Sequence, residues 1–232
     1  MNQISVLRKR ISLVLKVIVI ASAFTGTLLS ANIGRGSFMS GSRSFMYFTI
    51  QSNILIAVIC AIGGIKLMKG KDSGSAWYVV KFVGTVSITL TGVVFGLLLA
   101  PLLGDHAWTL HNTLTHLVVP VVSVLDYYVI CITSEIKYRN VIYVTIPPIL
   151  YAIYAGIAYV NGWEFATGVN YPYFFLNWGS PAGVFGFSDE LPFIGTGWWI
   201  LVILVFLIIV GSVYLVTAKL IGGMITRKRT DK

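Results

Sequence analysis

The chain has 232 residues, of which 56% are apolar and only 11% charged, and it carries a net charge of +9; its mean hydropathy is +0.85. A soluble domain holds roughly 25% charged residues, and one core of this size cannot hide so much apolar surface, so the remainder must face lipid. The positive balance would suggest nucleic acid in a soluble protein, but here the basic residues sit at the ends of apolar runs, and nucleic-acid binding is set aside.

The apolar runs are long and continuous, not alternating over ten-residue pieces, which predicts helices and excludes a barrel. A helix needs ~20 apolar residues to cross the hydrocarbon. Six segments meet that requirement: Ile11 to Ala31, Phe45 to Leu67, Trp77 to Leu102, Thr109 to Cys131, Val141 to Val160 and Gly197 to Leu220. The first lacks a cleavage site followed by a polar chain and is kept as a helix, not a signal peptide. The expected fold is therefore all-α, a single six-helix transmembrane domain over residues 1–232.

Arg8, Lys9 and Arg10 precede the first segment, Lys66, Lys69 and Lys71 follow the second, Lys137 and Arg139 follow the fourth, and Lys219, Arg227, Lys228, Arg229 and Lys232 close the chain. The opposite side has only Arg35 and Arg43, against Asp105, Glu164, Asp189 and Glu190. The positive-inside rule places both termini in the cytoplasm, and a bacterial plasma membrane is the expected location. The connection from Asn161 to Thr196 then lies outside. It is long, has no Lys or Arg, and is rich in aromatic and turn residues. Its apolar content argues against disorder, and it reads as a lid or re-entrant segment over the outer mouth of the bundle, or as an aromatic anchor at the interface.

Ionisable groups within a span are costly and mark functional positions. Lys16 and Lys81 lie near cytoplasmic helix ends, where snorkelling to the surface is expected. Asp126 lies ten residues beyond His116, roughly ~15 Å along a helix, too far to orient it. It is expected to bond Tyr or Ser side chains, or the Lys137 and Arg139 region, as a structural group. Gly84, Thr85, Thr89, Gly92 and Gly96 read as close helix packing. Cys60 and Cys131 lie inside apolar runs and make neither a disulfide framework nor a metal site. No metal or organic cofactor is expected.

In the outer half of the second segment, Thr49, Gln51, Ser52 and Asn53 form a polar cluster, and His111 and His116 lie in the outer half of the fourth. Thr49 and His116 fall at similar depth, which is the minimal arrangement of a hydroxyl nucleophile and an imidazole base. Asn112 shares a face with His116. Pro120 frees the His116 carbonyl, and a kink there would widen the bundle beside the ring. Asn53, Asn112 and Asn177 are the amide donors available for a developing oxyanion. There is no nucleophile elbow and no zinc-binding His pair around a Glu.

Three blocks resemble a known family. They are Tyr47-Phe48-Thr49-Ile50-Gln51-Ser52-Asn53, His111-Asn112-Thr113-Leu114-Thr115-His116-Leu117-Val118-Val119-Pro120, and Gly168-Val169-Asn170-Tyr171-Pro172-Tyr173. In order and spacing they are similar to the androgen-induced and androgen-dependent membrane proteins, six-helix threonine hydrolases of fatty acid esters of hydroxy fatty acids. The resemblance implies Thr49 as nucleophile and His116 as its base, acting on a membrane lipid ester. Gln51, Tyr171 and Tyr173 join the three asparagines as binding or oxyanion candidates, with Tyr171, Pro172 and Tyr173 expected to cover the pocket. Gln51, Ser52 and Asn53 are more polar than in the animal proteins, and Tyr173 stands where Phe is usual; these departures point to a bacterial branch. A reading from another class uses the same polar pocket to bind a small ligand without turnover, as a transporter or receptor. The two halves show no internal repeat, and the polar groups lie off-centre, which disfavours transport.

Overall fold

The computed structural model describes residues 5–33, 41–70, 74–131 and 136–230; Arg35, Lys71 and Lys232, used above for the charge bias, lie outside them. Six helices are long and apolar enough to cross a membrane. They are α1 (Val6–Ile33), α2 (Phe48–Met68), α3 (Gly74–His106), α4 (Leu110–Cys131) and α5 (Tyr138–Val160), and α6 (Thr196–Thr230). Among the described residues there is no β-strand, only two isolated bridges in the loop between α5 and α6. The chain is an all-α, multi-pass membrane protein.

Local chemistry sets where the helices depart from plain α geometry. The turn before α2, Gly41–Met46, is a 3-10 helix, so α2 begins at Phe48, later than the apolar run suggests. In α5 the first turns, Tyr138–Thr145, are 3-10, and regular α geometry starts at Ile146, just ahead of Pro147 and Pro148, where missing N–H groups cost nothing. Two π turns interrupt the bundle, at Phe95–Leu99 in α3 and at Leu114–Val118 in α4. A π turn adds a residue to one turn and re-aims the side chains after it.

α1 packs on α2 and α4, and α3 lies between α2 and α4 on one side and α6 on the other. One buried cluster joins Val19 and Ala23 of α1 to Ile56, Ile59 and Cys60 of α2, Ile88 of α3 and Val119 of α4. A second joins Phe82, Val86 and Leu90 of α3 to Tyr127 of α4, Val144 of α5 and Leu207 and Leu215 of α6. Outward-facing Val14, Val17 and Phe24 of α1 and Leu201, Val205, Ile209 and Val213 of α6 remain exposed, as lipid-facing surfaces of a membrane bundle must.

Two ionisable residues are not where the sequence suggests. Lys16 and Lys81 do not snorkel: both are buried, and both pair with Asp126, Lys16 Nζ at 2.7 Å from Oδ1 and Lys81 Nζ at 2.8 Å from Oδ2. Ser12 donates to Asp126 Oδ1 at 2.5 Å, so the expected Ser partner is present, but the main partners are the two ammonium groups and not the Lys137 and Arg139 region. The physical reason is local room. Gly63 lets Lys16 lie across α2, since a Cβ there would meet Lys16 Cε at 3.1 Å. A carboxylate within reach stabilises the buried cations more than a stretched path to the surface does.

The segment from Asn161 to Gly195 folds over the loop-bearing end of the bundle. Tyr47 donates to the Phe165 carbonyl at 3.1 Å, and Arg43 pairs with Glu164 at 3.0 Å on the surface. The segment is pinned to α6 by Thr196 Oγ1 donating to the Asn177 carbonyl at 2.9 Å. Trp198 and Trp199 donate to the carbonyls of Phe185 and Pro192. Tyr173, Phe175 and Leu176 enter a buried cluster with Tyr47, Tyr151 and Phe165.

Candidate active site

Thr49 is the second residue of α2, directly beneath the loop. Several threonine hydroxyls in the bundle return to their own helix: Thr85, Thr89 and Thr115 each donate to the carbonyl four residues back. Thr49 instead faces two other elements. Its Oγ1 lies 3.3 Å from His116 Nε2 of α4 and 3.4 Å from the Tyr173 hydroxyl of the loop. All three side chains are buried.

The imidazole is held from three sides. Its Nδ1 lies 3.1 Å from the main-chain oxygen of Asn112 and 3.0 Å from Thr115 Oγ1. The Asn112 oxygen can only accept, and the Thr115 hydroxyl proton is committed to the His111 carbonyl at 2.8 Å. The proton of a neutral His116 therefore belongs on Nδ1, which leaves Nε2 as a bare acceptor facing Thr49. The ring stacks on Phe95 at 3.8 Å between centroids, with planes 19° apart. Phe95 opens the π turn of α3, and His116 lies in the π turn of α4, so both irregular turns serve this one contact. π turns recur at functional sites in proteins generally.

Pro120 does not widen the bundle on the side facing α3. Gly92 of α3 lies against it so closely that a Cβ would come within 2.8 Å of the His116 carbonyl oxygen and 3.1 Å of Pro120 Cγ. The distortion that Pro120 imposes is taken up as the π turn preceding it.

The asparagines expected as oxyanion donors are otherwise engaged. Asn53 Nδ2 donates to the Thr49 carbonyl at 2.8 Å and to the Thr115 carbonyl at 3.2 Å, which ties α2 to the π turn of α4. Asn112 Nδ2 donates to the Ala107 carbonyl at 2.8 Å; only its main chain reaches His116. Asn177 turns its amide oxygen to the Gly179 N–H at 3.0 Å and takes no part in the site. Gln51 is exposed and donates to the Phe45 carbonyl at 3.1 Å, because two residues along a helix put it on the face opposite buried Asn53. Tyr171 is half-buried and does not line the cleft described next, whereas Tyr173 does. His111 pairs locally with Thr109 at 3.1 Å.

Tyr173 accepts the main-chain N–H of Thr49 at 3.3 Å and stacks on Phe175 at 5.1 Å. Burial pushes its phenol above the ordinary tyrosine range, more than its bonds to Thr49 pull it back. It remains a neutral donor whose proton can reach Thr49 Oγ1 or an atom placed beside it.

Thr49 and Tyr173 stand at the polar end of a cleft between α2, α3, α5, α6 and the loop. Apart from Thr91 and Tyr151 the remaining walls are apolar, among them Leu90, Val94 and Leu99 of α3, Pro148 and Ala152 of α5, and Ile203 and Leu204 of α6. The space between atoms in the cleft is about 560 Å³, its open part included. Among the described residues no group of three His, Cys, Asp or Glu is placed to hold a metal ion.

The arrangement thus brings Thr49, His116 and Tyr173 together, and leaves Gln51, Asn112, Asn177 and Tyr171 out of side-chain contact with the Thr49 hydroxyl. Phe95, Thr115 and Gly92 were not singled out as site residues from sequence. Gly92 carried a packing signal; Phe95 and Thr115 carried none. No protein-family model, no curated protein and no solved structure matches the chain.

Proposed function

We propose that the protein is an intramembrane hydrolase of lipid esters, with Thr49 as nucleophile, His116 as general base and Tyr173 as oxyanion donor. The observation that carries the reading is the hydroxyl of Thr49, 3.3 Å from an imidazole nitrogen that its other hydrogen bonds leave free to accept, at the head of an apolar cleft. The resemblance of the three sequence blocks to six-helix threonine hydrolases supports Thr49 and His116; Tyr173 stands where Phe is usual, and its role rests on its contact with Thr49.

In this mechanism His116 Nε2 takes the Thr49 proton as Oγ1 attacks the ester carbonyl. Tyr173 donates to the oxygen that becomes negative. The tetrahedral adduct collapses, the C–O bond to the alcohol breaks, and the alkoxide takes the proton from His116. A water molecule then gives a proton to the same nitrogen and attacks the acyl-threonine. Thr49 leaves, recovers its proton from His116, and the fatty acid is released. The charge bias of the helix ends supports cytoplasmic termini, with the site in the outer leaflet beneath the aromatic loop.

One observation favours a second reading, a membrane protein that binds a small ligand without turning it over. The amide groups of Asn53 and Asn112 are spent on main-chain carbonyls, which leaves a single side-chain hydroxyl to hold an oxyanion. Labelling of the purified protein by a fluorophosphonate probe decides between them. Hydrolysis predicts labelling that disappears in Thr49→Ala; binding alone predicts none in either protein.

A further inference from the structure

Every residue that lines the cleft with a hydroxyl, Thr49, Thr91, Tyr151 and Tyr173, is buried. The lining residues that keep some exposure, from Phe48 and Val94 to Pro148, Ile200 and Leu204, are all apolar. The ring of Phe95, another wall of the cleft, covers His116. Beside Thr49 the fully buried rings of Tyr47 and Phe165 meet edge to face. The cleft therefore offers bulk water no polar path to Thr49, and an acyl group bonded there is kept from the solvent that would hydrolyse it. Three of the four hydroxyls have an evident task. Thr49 is the nucleophile, Tyr173 faces the oxyanion, and Tyr151 donates to the Met46 carbonyl at 3.1 Å. Thr91 is left. Its Oγ1 lies 2.7 Å from Ser52 Oγ, and the Ser52 proton is committed to the Thr49 carbonyl at 3.0 Å. Thr91 must then donate to Ser52, so its oxygen has a lone pair free to accept and no proton to give. Such a hydroxyl binds a donor. An ester has none; an alcohol does.

We propose that the acyl-threonine is resolved by a membrane-dissolved alcohol, so that the protein transfers acyl groups between alcohols as well as hydrolysing esters. This rests on the Thr49 and His116 reading above and supplies its second substrate. The first alcohol leaves, a second enters along the same apolar walls, and Thr91 accepts its hydroxyl on entry. The hydroxyl then turns its proton to His116 Nε2 as its oxygen attacks the acyl carbon. The C–O bond to Thr49 breaks, Thr49 recovers the proton from His116, and a new ester is released. One ester and one alcohol go in, and one ester and one alcohol come out, so no further reactant is needed. The acceptor is an alcohol and not an amine, because an alkylamine is an ammonium ion at neutral pH and is costly to bring into apolar surroundings. Water competes from a low local concentration among these walls, whereas each methylene of the alcohol that the cleft buries favours binding.

The test is the partition of products in amine-oxide micelles, whose detergent brings no hydroxyl of its own. Purified protein is given p-nitrophenyl octanoate with graded 1-octanol; p-nitrophenol release counts acylation, and chromatography separates octyl octanoate from octanoic acid. We expect octyl octanoate to exceed the acid although water is in large excess, and to be absent in Thr49→Ala. Octanoic acid alone at every octanol concentration overturns the transfer and leaves the hydrolase reading standing. Octyl octanoate formed equally by Thr49→Ala also overturns it, since the chemistry is then not at this site. Should the wild type release no p-nitrophenol, the hydrolase reading fails and the transfer falls with it. Thr91 is tested by Thr91→Val, with Thr91→Ala in its place should the valine variant fail size exclusion. The octanol concentration that gives half-maximal octyl ester should rise about threefold to tenfold, the scale of one net hydrogen bond, and Thr91→Ser should restore it. A ratio of ester to acid that Thr91→Val leaves unchanged at every octanol concentration overturns the role of Thr91, because damage to acylation alone does not move that ratio.

Discussion

His116 turns Nε2 to the Thr49 hydroxyl at 3.3 Å while its Nδ1 rests on the main-chain oxygen of Asn112 at 3.1 Å. The second contact fixes what the first can do. In serine hydrolases a carboxylate usually holds the far nitrogen; here a helix carbonyl and a threonine hydroxyl take that place, and the only ionised carboxylate of α4, Asp126, is committed to two lysines. Under the proposed mechanism Thr49→Ala and His116→Ala each abolish ester hydrolysis, and the double variant is no worse than either alone, because the pair acts as a unit. Thr49→Ser keeps a hydroxyl and retains part of the activity. The measurement is turnover of a long-chain ester in micelles, with folding checked by size exclusion. A well-folded Thr49→Ala protein that works at the wild-type rate removes the mechanism.

Tyr173→Phe isolates the hydroxyl. The ring keeps its stack on Phe175 and its place among Tyr47 and Tyr151, so stability changes little. Loss of one oxyanion donor lowers kcat by about 10²-fold, with KM nearly unchanged. If KM rises and kcat stays, Tyr173 positions the substrate and another group holds the oxyanion.

Asp126→Asn leaves two buried ammonium groups facing an amide. Removing one partner from a buried ionic cluster costs about 3–5 kcal/mol, and the variant should melt at a clearly lower temperature in detergent while its folded fraction turns over normally. Replacing Lys16 and Lys81 by Met together with Asp126 by Leu should recover much of the loss, since the cations that need a partner are gone. Unchanged thermal stability with vanished activity would instead make Asp126 part of the chemistry.

The six spans, the placement of Thr49 and His116 at one depth, and the packing role of Gly84 and Gly92 are legible in the sequence because each rests on a one-dimensional signal: length, spacing or residue size. Direction around a helix is less legible where the helix is irregular. Asn112 sits four residues from His116, as on a regular helix face, yet its side chain turns back to Ala107. The π turn at Leu114–Val118 breaks the periodicity on which that inference depends. Phe95 escapes for the same reason, since a second π turn brings it over His116. Lys16 and Lys81 look like snorkelling residues until three helices are packed, because only then does Asp126 come within 2.8 Å of both.

The orientation is open to a direct measurement. In a protein whose native Cys60 and Cys131 are buried, a cysteine placed at exposed Asp189 in the long loop should react with a membrane-impermeant thiol reagent applied to intact cells, and one at exposed Lys69, between α2 and α3, should react only after the cells are opened. The charge asymmetry of the loops gives this expectation. The reverse pattern moves the Thr49 site to the cytoplasmic leaflet.

The contact between Gly92 and the α4 π turn gives the sharpest test of whether the irregular helices matter to the site. A Cβ at position 92 would stand 2.8 Å from the His116 carbonyl and 3.1 Å from Pro120 Cγ, and neither backbone nor proline ring can swing aside. Gly92→Ala must therefore push α3 and α4 apart by several tenths of an ångström at the residue that carries the imidazole. Its effect on the fold is a modest loss, because alanine suits a helix better than glycine and offsets part of the clash. Its effect on the site is larger: the ring loses register with Phe95 on one side and Thr49 on the other, and misplacement on this scale lowers turnover by about tenfold to 10²-fold. Gly96 is the control. It lies one turn further along α3 with nothing within 4 Å of its Cβ position, so Gly96→Ala should leave both melting temperature and kcat near wild type. Equal effects of the two substitutions on kcat would mean that the close approach at Gly92 does not set the position of His116.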